Sequence, residues 1–203
     1  MNTIFMDNFD KEKRTCLNKL YKPDKSRKGT VDEPIIPLIE YINSLDNYYT
    51  TSSCSGRIYL LTEANKKPDV KWIYVSHDVV DEETLIKSLY DSLNKLKEIK
   101  DRIWFRQENM ILHVACRTID HANILLNIAR NAGFRRSGII ANSKIIIVEI
   151  CSTEKIDVPL TDNGKILVNE DYIRVLVKIA NEKFIRGKKK LENFEKEVRE
   201  KLV

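Results

Sequence analysis

Three stretches of this 203-residue chain gather chemically competent side chains. The first is Thr50-Thr51-Ser52-Ser53-Cys54-Ser55-Gly56-Arg57, six consecutive hydroxyl or thiol groups followed by a glycine and a cation. A strand that gives up apolar burial for such groups has a polar ligand as a reason to do so. Glycine admits close backbone approach, and the planar guanidinium of Arg57 can grip a carboxylate or phosphate with two parallel hydrogen bonds. An exposed edge strand with a bulge explains Thr50 and Thr51 equally well, and the whole run less well. The second stretch is His113-Val114-Ala115-Cys116-Arg117. On a strand His113, Ala115 and Arg117 share one face, so a base and a cation stand together. His77 closes another strand-like segment and can join them, whereas His121, early in a helix, reads as structural. The third runs from Asp24 to Asp32 and holds Lys25, Ser26, Arg27 and Lys28 ahead of a helix. Free N–H groups at a helix start attract anions; the competing reading is a solvated loop. Cys54 becomes a nucleophile only with a base or cation at hand, for which Arg57, His77 and His113 are the candidates. A buried inert thiol is the simpler account of it.

The chemistry that is missing narrows the choice. No GxGxxG or GxxxxGK[ST] is present, and neither GxSxG nor HExxH occurs, which argues against a doubly wound nucleotide-binding domain. Cys16, Cys54, Cys116 and Cys151 are widely spaced, so no zinc site is expected and no metal is required. Apolar residues make up 42% of the chain, enough for a packed core. No apolar run approaches the roughly 20 residues of a membrane span, and residues 1–13 lack the apolar core of a secretory signal; the expectation is a soluble, cytoplasmic protein. The net charge of +5 is uneven. Residues 1–32 hold 8 basic and 5 acidic groups, and residues 183–203 hold 8 and 4. Basic ends of this kind suit a phosphate backbone, and equally a merely lysine-rich soluble surface. Trp72, Trp104, Phe105, Phe134, Arg135 and Arg136 interleave rings and cations in a manner compatible with base stacking.

The elements that must position these groups follow from periodicity. Helices are expected over residues 5–21, from Thr30-x-x-Glu33 as a capping box to about residue 45, from Asp81 to about 97, and from Asp120 to 132, with Gly133 closing the last. Strands are expected over residues 48–62 and 72–76, then as a pair, 102–106 and 110–117, turning near Glu108-Asn109. A hairpin joins 134–140 to 144–151 across Ala141-Asn142, and 152–163 reads as a loop. Residues 170–203 form one long helix or two, with Gly187 on the seam. The resulting class is α+β: mostly antiparallel sheet from duplicated ββαββ-like units with flanking helices, non-Rossmann, with a long C-terminal helix. The expected organisation is one catalytic domain over residues 1–165 with an internal duplication, and a C-terminal helical extension over 166–203.

Taken in order, these stretches resemble the tRNA wybutosine-synthesizing protein 3 family. The resemblance is carried by Asp24-Lys25-Ser26, Lys28-Gly29 and Asp32, then by Thr50 through Ile58. Val75-Ser76-His77-Asp78, Ile111 through Arg117, Gly133-Phe134-Arg135 and Ser137-Gly138-Ile139 complete it. Two turns depart from the family pattern: residues 67–71 replace a Gly-Gly, and Glu108-Asn109 replaces a Glu-Pro. The resemblance implies an S-adenosylmethionine-dependent methyltransferase acting on N4 of 4-demethylwyosine, or a related wyosine intermediate, at guanosine 37 beside the anticodon of tRNA-Phe. On that reading His113 or His77 is the base. Ser52, Ser53, Cys54, Ser55, Gly56, Arg57 and Arg117 line the cofactor pocket, and Lys25, Ser26, Arg27, Lys28 and Asp32 meet the RNA. The alternatives are a non-catalytic tRNA-binding or assembly module of the wyosine pathway, which has no use for the serine-rich run, and a hydrolase using Cys54.

Overall fold

A computed structural model describes residues 7–20, 31–63, 70–95 and 101–202. In chain order the elements are α1 (Asn8–Leu20), a 3-10 turn (Glu33–Ile35), α2 (Ile36–Ser44), β1 (Tyr48–Thr62), β2 (Trp72–Ser76), α3 (Glu82–Lys95), β3 (Ile103–Cys116), α4 (Ile119–Asn131), β4 (Gly138–Ala141), β5 (Ile146–Cys151), β6 (Lys155–Pro159), β7 (Thr161–Asp162), β8 (Lys165–Ile166) and α5 (Glu170–Lys201). Hydrogen bonding orders the strands β2-β1-β3-β5-β4, with β6 also on β3. The pairs β1–β2, β3–β5, β3–β6 and β4–β5 are antiparallel. The α+β, antiparallel expectation holds. Among the described residues no helix is long and apolar enough to cross a membrane.

The chain forms two compact units, Met1–Ser55 with Met110–Thr153 and Lys190–Val203, and Gly56–Asn109 with Glu154–Lys189. In the first, α2 buries Leu38, Ile39 and Ile42 just after Ile35, the spacing of one helical face. They meet Tyr48 of β1, Met110, Leu112, Val114 and Cys116 of β3, and Leu125 and Ala129 of α4. The reverse face of the sheet buries Tyr49 and Ala115 against Phe9 of α1. In the second unit Ile58, Leu60, Ile103 and Phe105 pack on Leu85 and Leu89 of α3 and on Ile173, Val177, Ala180 and Phe184 of α5. The stretch from residue 166, expected as an extension, supplies core to both units, with Leu191, Phe194, Val198 and Leu202 serving the first.

Several local expectations are corrected. The turn near Glu108-Asn109 does not form, and β3 runs unbroken through it. Gln107 and Asn109, polar enough to look like a turn, are buried and pair with each other, Gln107 Nε2 donating to Asn109 Oδ1 at 2.9 Å. The Asn109 amide also donates to the carbonyls of Glu154 and Lys183, each at 3.4 Å. The expected loop 152–163 contains β6, whose Pro159 sits at the strand end opposite Trp104, where a missing N–H costs little. Thr118, not Asp120, caps α4 by accepting from the His121 N–H. Asp32 stands at the N-cap of the 3-10 turn but makes no side-chain cap bond. Thr30 of the expected capping box lies outside the described residues.

Gly187 does not break α5. Its role is clearance: a Cβ there would lie 2.3 Å from Asn109 Oδ1. Alanine normally gains about 1 kcal/mol over glycine inside a helix, but here the buried amide would have to give up its partners. Gly187→Ala is expected to lose about 1–2 kcal/mol net, measured by chemical denaturation; a gain would show that helix propensity outweighs the clash.

Candidate active site

In the first unit β3 lies between β1 and β5. The Arg117 N–H donates to the Asn47 carbonyl, and at the far end of the strands Glu63 N–H donates to the Arg102 carbonyl, so β1 and β3 are antiparallel. From 47 to 63 is sixteen steps, from 117 to 102 fifteen, so β1 holds one extra residue. That is a β-bulge. Ser55 and Gly56 mark its place. The Ser55 N–H turns to Asp32 Oδ2 at 2.8 Å, the Ser55 hydroxyl joins it at 3.1 Å, and Gly56 takes a φ of 108°.

Register places His113 opposite Glu149, and His113 Nε2 meets Glu149 Oε2 at 2.9 Å. A carboxylate only accepts, so Nε2 carries the proton and Nδ1 presents its lone pair. Both side chains remain partly open, 27% and 31% exposed. Cys151 stands beside them. Burial first, and the Glu149 carboxylate second, push its thiol above its ordinary pKa, which keeps it protonated and uncharged near neutrality. Glu149 is the candidate site residue that sequence reasoning missed. It is the one charged group in the apolar run 145–151, and that anomaly is the signal that could have found it.

Of the serine-rich run, Tyr48 and Thr50 face α2, with the Asn43 amide donating to the Thr50 hydroxyl at 3.0 Å. Alternation then puts Ser52 on that face, away from His113, and Thr51 on the His113 face. Thr51 and Ser52 are exposed, Ser53 and Cys54 half-buried, Ser55 and Gly56 buried. In the second unit the Gly56 carbonyl accepts from His77 Nδ1 at 2.9 Å. Arg57 there lies over the rings of Tyr59 and Trp72, 4.9 and 5.0 Å to the centroids. It also meets the Glu108 carboxylate, at 3.5 Å. Lys25, Ser26, Arg27 and Lys28 lie outside the described residues.

Arg117 is heavily engaged. It donates to the Asn47 side chain, the Asp46 carbonyl, Asp7 and Asp10, and it covers the Phe9 ring at 4.5 Å. It ties α1 to the sheet, and holding a cofactor carboxylate would require it to release one of these acceptors. The Asp7 carboxyl lies below its ordinary value, first because it accepts the Asp10 N–H and also because Arg117 faces it. A group with a depressed folded-state pKa stabilises above its unfolded value and loses that contribution as pH falls through the folded one. Protection of the α1 amides, their exchange measured against the intrinsic rate at each pH, is therefore expected to be high at neutral pH and to fall below about pH 4. In Arg117→Ala the α1 amides are expected to exchange fast at every pH, while those of α4 keep their protection.

Comparison with known proteins gives a consistent picture. The model of the family described as Methyltransferase TYW3 matches residues 11–200. A Pyrococcus horikoshii protein named tRNA(Phe) 7-((3-amino-3-carboxypropyl)-4-demethylwyosine(37)-N(4))-methyltransferase 1 is 42% identical over 199 residues, covering 96% of each chain. The Danio rerio tRNA wybutosine-synthesizing protein 3 homolog is 38% identical over 194 residues, 93% of this chain and 73% of the relative. The solved structure of the PH1069 protein from Pyrococcus horikoshii superposes with a TM-score of 0.81 at 40% identity, covering 94% of this chain and 96% of that one. A hypothetical protein from Aeropyrum pernix gives 0.69 at 26% identity, covering 84% and 99%.

Proposed function

The chain belongs to the Methyltransferase TYW3 family, and from that premise we propose that it is a cytoplasmic tRNA methyltransferase acting on N4 of 4-demethylwyosine, or a related wyosine intermediate, at position 37 of tRNA-Phe. The donor is S-adenosylmethionine, which when bound supplies a methyl group on a sulfonium. The observation that carries the chemistry is the His113–Glu149 pair on an open strand face.

Transfer of a methyl group to a ring nitrogen that bears hydrogen leaves that nitrogen with one proton too many for a neutral product. His113 Nδ1 takes this proton, and the Glu149 carboxylate steadies the imidazolium through Nε2. Beyond the proton, the rate comes from alignment and from exclusion of water around the two reactants. His77, whose Nδ1 is committed to the Gly56 carbonyl, is the alternative base.

The donor set fits the methyl donor. By the same alternation Ser53 shares the His113 face with Thr51, and its half-buried hydroxyl can meet a ribose or an adenine edge there, whereas Ser52 and Cys54 turn to the other face. Arg57 keeps a buried Nε without a partner among the described residues, a guanidinium with donors left for a carboxylate. Ser55 and Gly56 hold the bend that presents this run, Asp32 secures Ser55, and Arg117 fixes α1 beside the His113 strand. Lys25, Ser26, Arg27 and Lys28 are assigned to the phosphates of the anticodon region. We likewise read the segments around residues 48–117 and 102–151 as overlapping versions of one ββαββ-like pattern.

The test is methylation of hypomodified tRNA-Phe in vitro with nucleoside mass spectrometry. His113→Ala is expected to lower the rate about a hundredfold or more, and Glu149→Gln to cost less, with tRNA binding retained in both. Full activity in both variants would remove His113 from the chemistry. No heat on titrating S-adenosylmethionine, with or without tRNA, would remove the methyltransferase reading itself.

A further inference from the structure

The second unit has a sheet face of which the proposed chemistry uses only Arg57. Ile58, Leu60, Ile103, Phe105 and Ile156 turn inward to α3 and α5. Alternation therefore turns Arg57 and Tyr59 of β1, Trp104, Arg106 and Glu108 of β3, and Lys155 and Asp157 of β6 outward. Trp72 of β2 joins this face, its ring 5.1 Å from that of Tyr59. Arg57 lies over both rings, and Arg106 covers Trp104 at 5.3 Å. Trp72 is 47% exposed, which is unusual for the largest apolar side chain. Two N–H donors on the face, Arg57 Nε and Trp104 Nε1, are buried without a partner among the described residues. Leaving donors unmet is costly, and here ring and guanidinium planes stay stacked in spite of it. The outward strand positions carry three cations, Arg57, Arg106 and Lys155, against the carboxylates of Glu108 and Asp157, and exposed Lys71 precedes Trp72.

We propose that this face is a stacking platform for unpaired bases of the RNA substrate, with Trp72 as the open ring and the arginines serving base planes and phosphates. A protein loop would use the aromatic rings but has no need of the stacked cations. Single-stranded RNA uses both, because every base has a π face and every linkage a negative charge. The platform rests on the tRNA-methylation reading for the identity of its RNA.

Both tryptophans of the chain, Trp72 and Trp104, lie on this face, so intrinsic fluorescence reads it directly. The full-length protein is titrated, with no methyl donor present, with an anticodon stem-loop RNA and with a duplex RNA of equal length. The stem-loop is expected to quench the emission and the duplex to quench it little. Trp72→Ala is expected to weaken stem-loop binding about tenfold, Trp72→Phe to restore most of it, and both to keep the wild-type melting temperature. In methylation assays Trp72→Ala raises KM for tRNA. Unchanged stem-loop affinity in Trp72→Ala, or equal losses for stem-loop and duplex, overturns the platform. Loss of loop affinity in Trp72→Ala together with a wild type that transfers no methyl group leaves the platform standing and defeats the methylation reading.

Discussion

The close approach of β1 and β3 at Gly56 is the constraint on which the rest of the site depends. A Cβ at that position would stand 2.9 Å from the Glu108 carbonyl oxygen and 3.1 Å from Asn109 Cα, both backbone atoms that cannot turn aside. The φ of 108° independently excludes a side chain. With glycine in place the extra residue of β1 is absorbed. The preceding N–H swings to Asp32, and the carbonyl is left for His77. A hydroxyl-rich strand would otherwise be a weak edge; the bulge turns it into a fixed presentation of polar groups.

A second layer of control is electrostatic. Glu149 selects the tautomer of His113 from the neighbouring strand, so the basic nitrogen is set by sheet register and not by a mobile loop. Arg117, on the same face four residues further along, spends its guanidinium on Asp7, Asp10 and Asn47. The two members of the His-x-x-x-Arg pattern thus divide the work. One stays partly open, and the other anchors the helix that covers the far end of the face.

Much of this architecture was legible from the chain. The limits of β1 and β2 follow from their β-branched and aromatic residues, and the apolar seams of α2, α3 and α5 from helical spacing. The failures share a cause. Glu108-Asn109 looked like a turn because nothing local reveals that the buried Asn109 amide will find carbonyls at Glu154 and Lys183, residues far along the chain. The strand Lys155–Pro159 was hidden by its proline, harmless at a strand end. At the site, residue types identified His113, but its partner follows from strand register, a long-range property. The composition of the serine-rich run was equally visible, while the bulge at Ser55 and Gly56 that ends it was not.

The division of α5 has a consequence for synthesis. Leu191, Phe194, Val198 and Leu202 fill the same core as Leu38 and Tyr48, which precede them by well over a hundred positions in the chain. During synthesis the apolar faces of α2 and β1 therefore stay open until residues 191–202 have been made. A product cut short before Leu191 would carry an open core, which the quality-control machinery of the cell can distinguish from the finished protein.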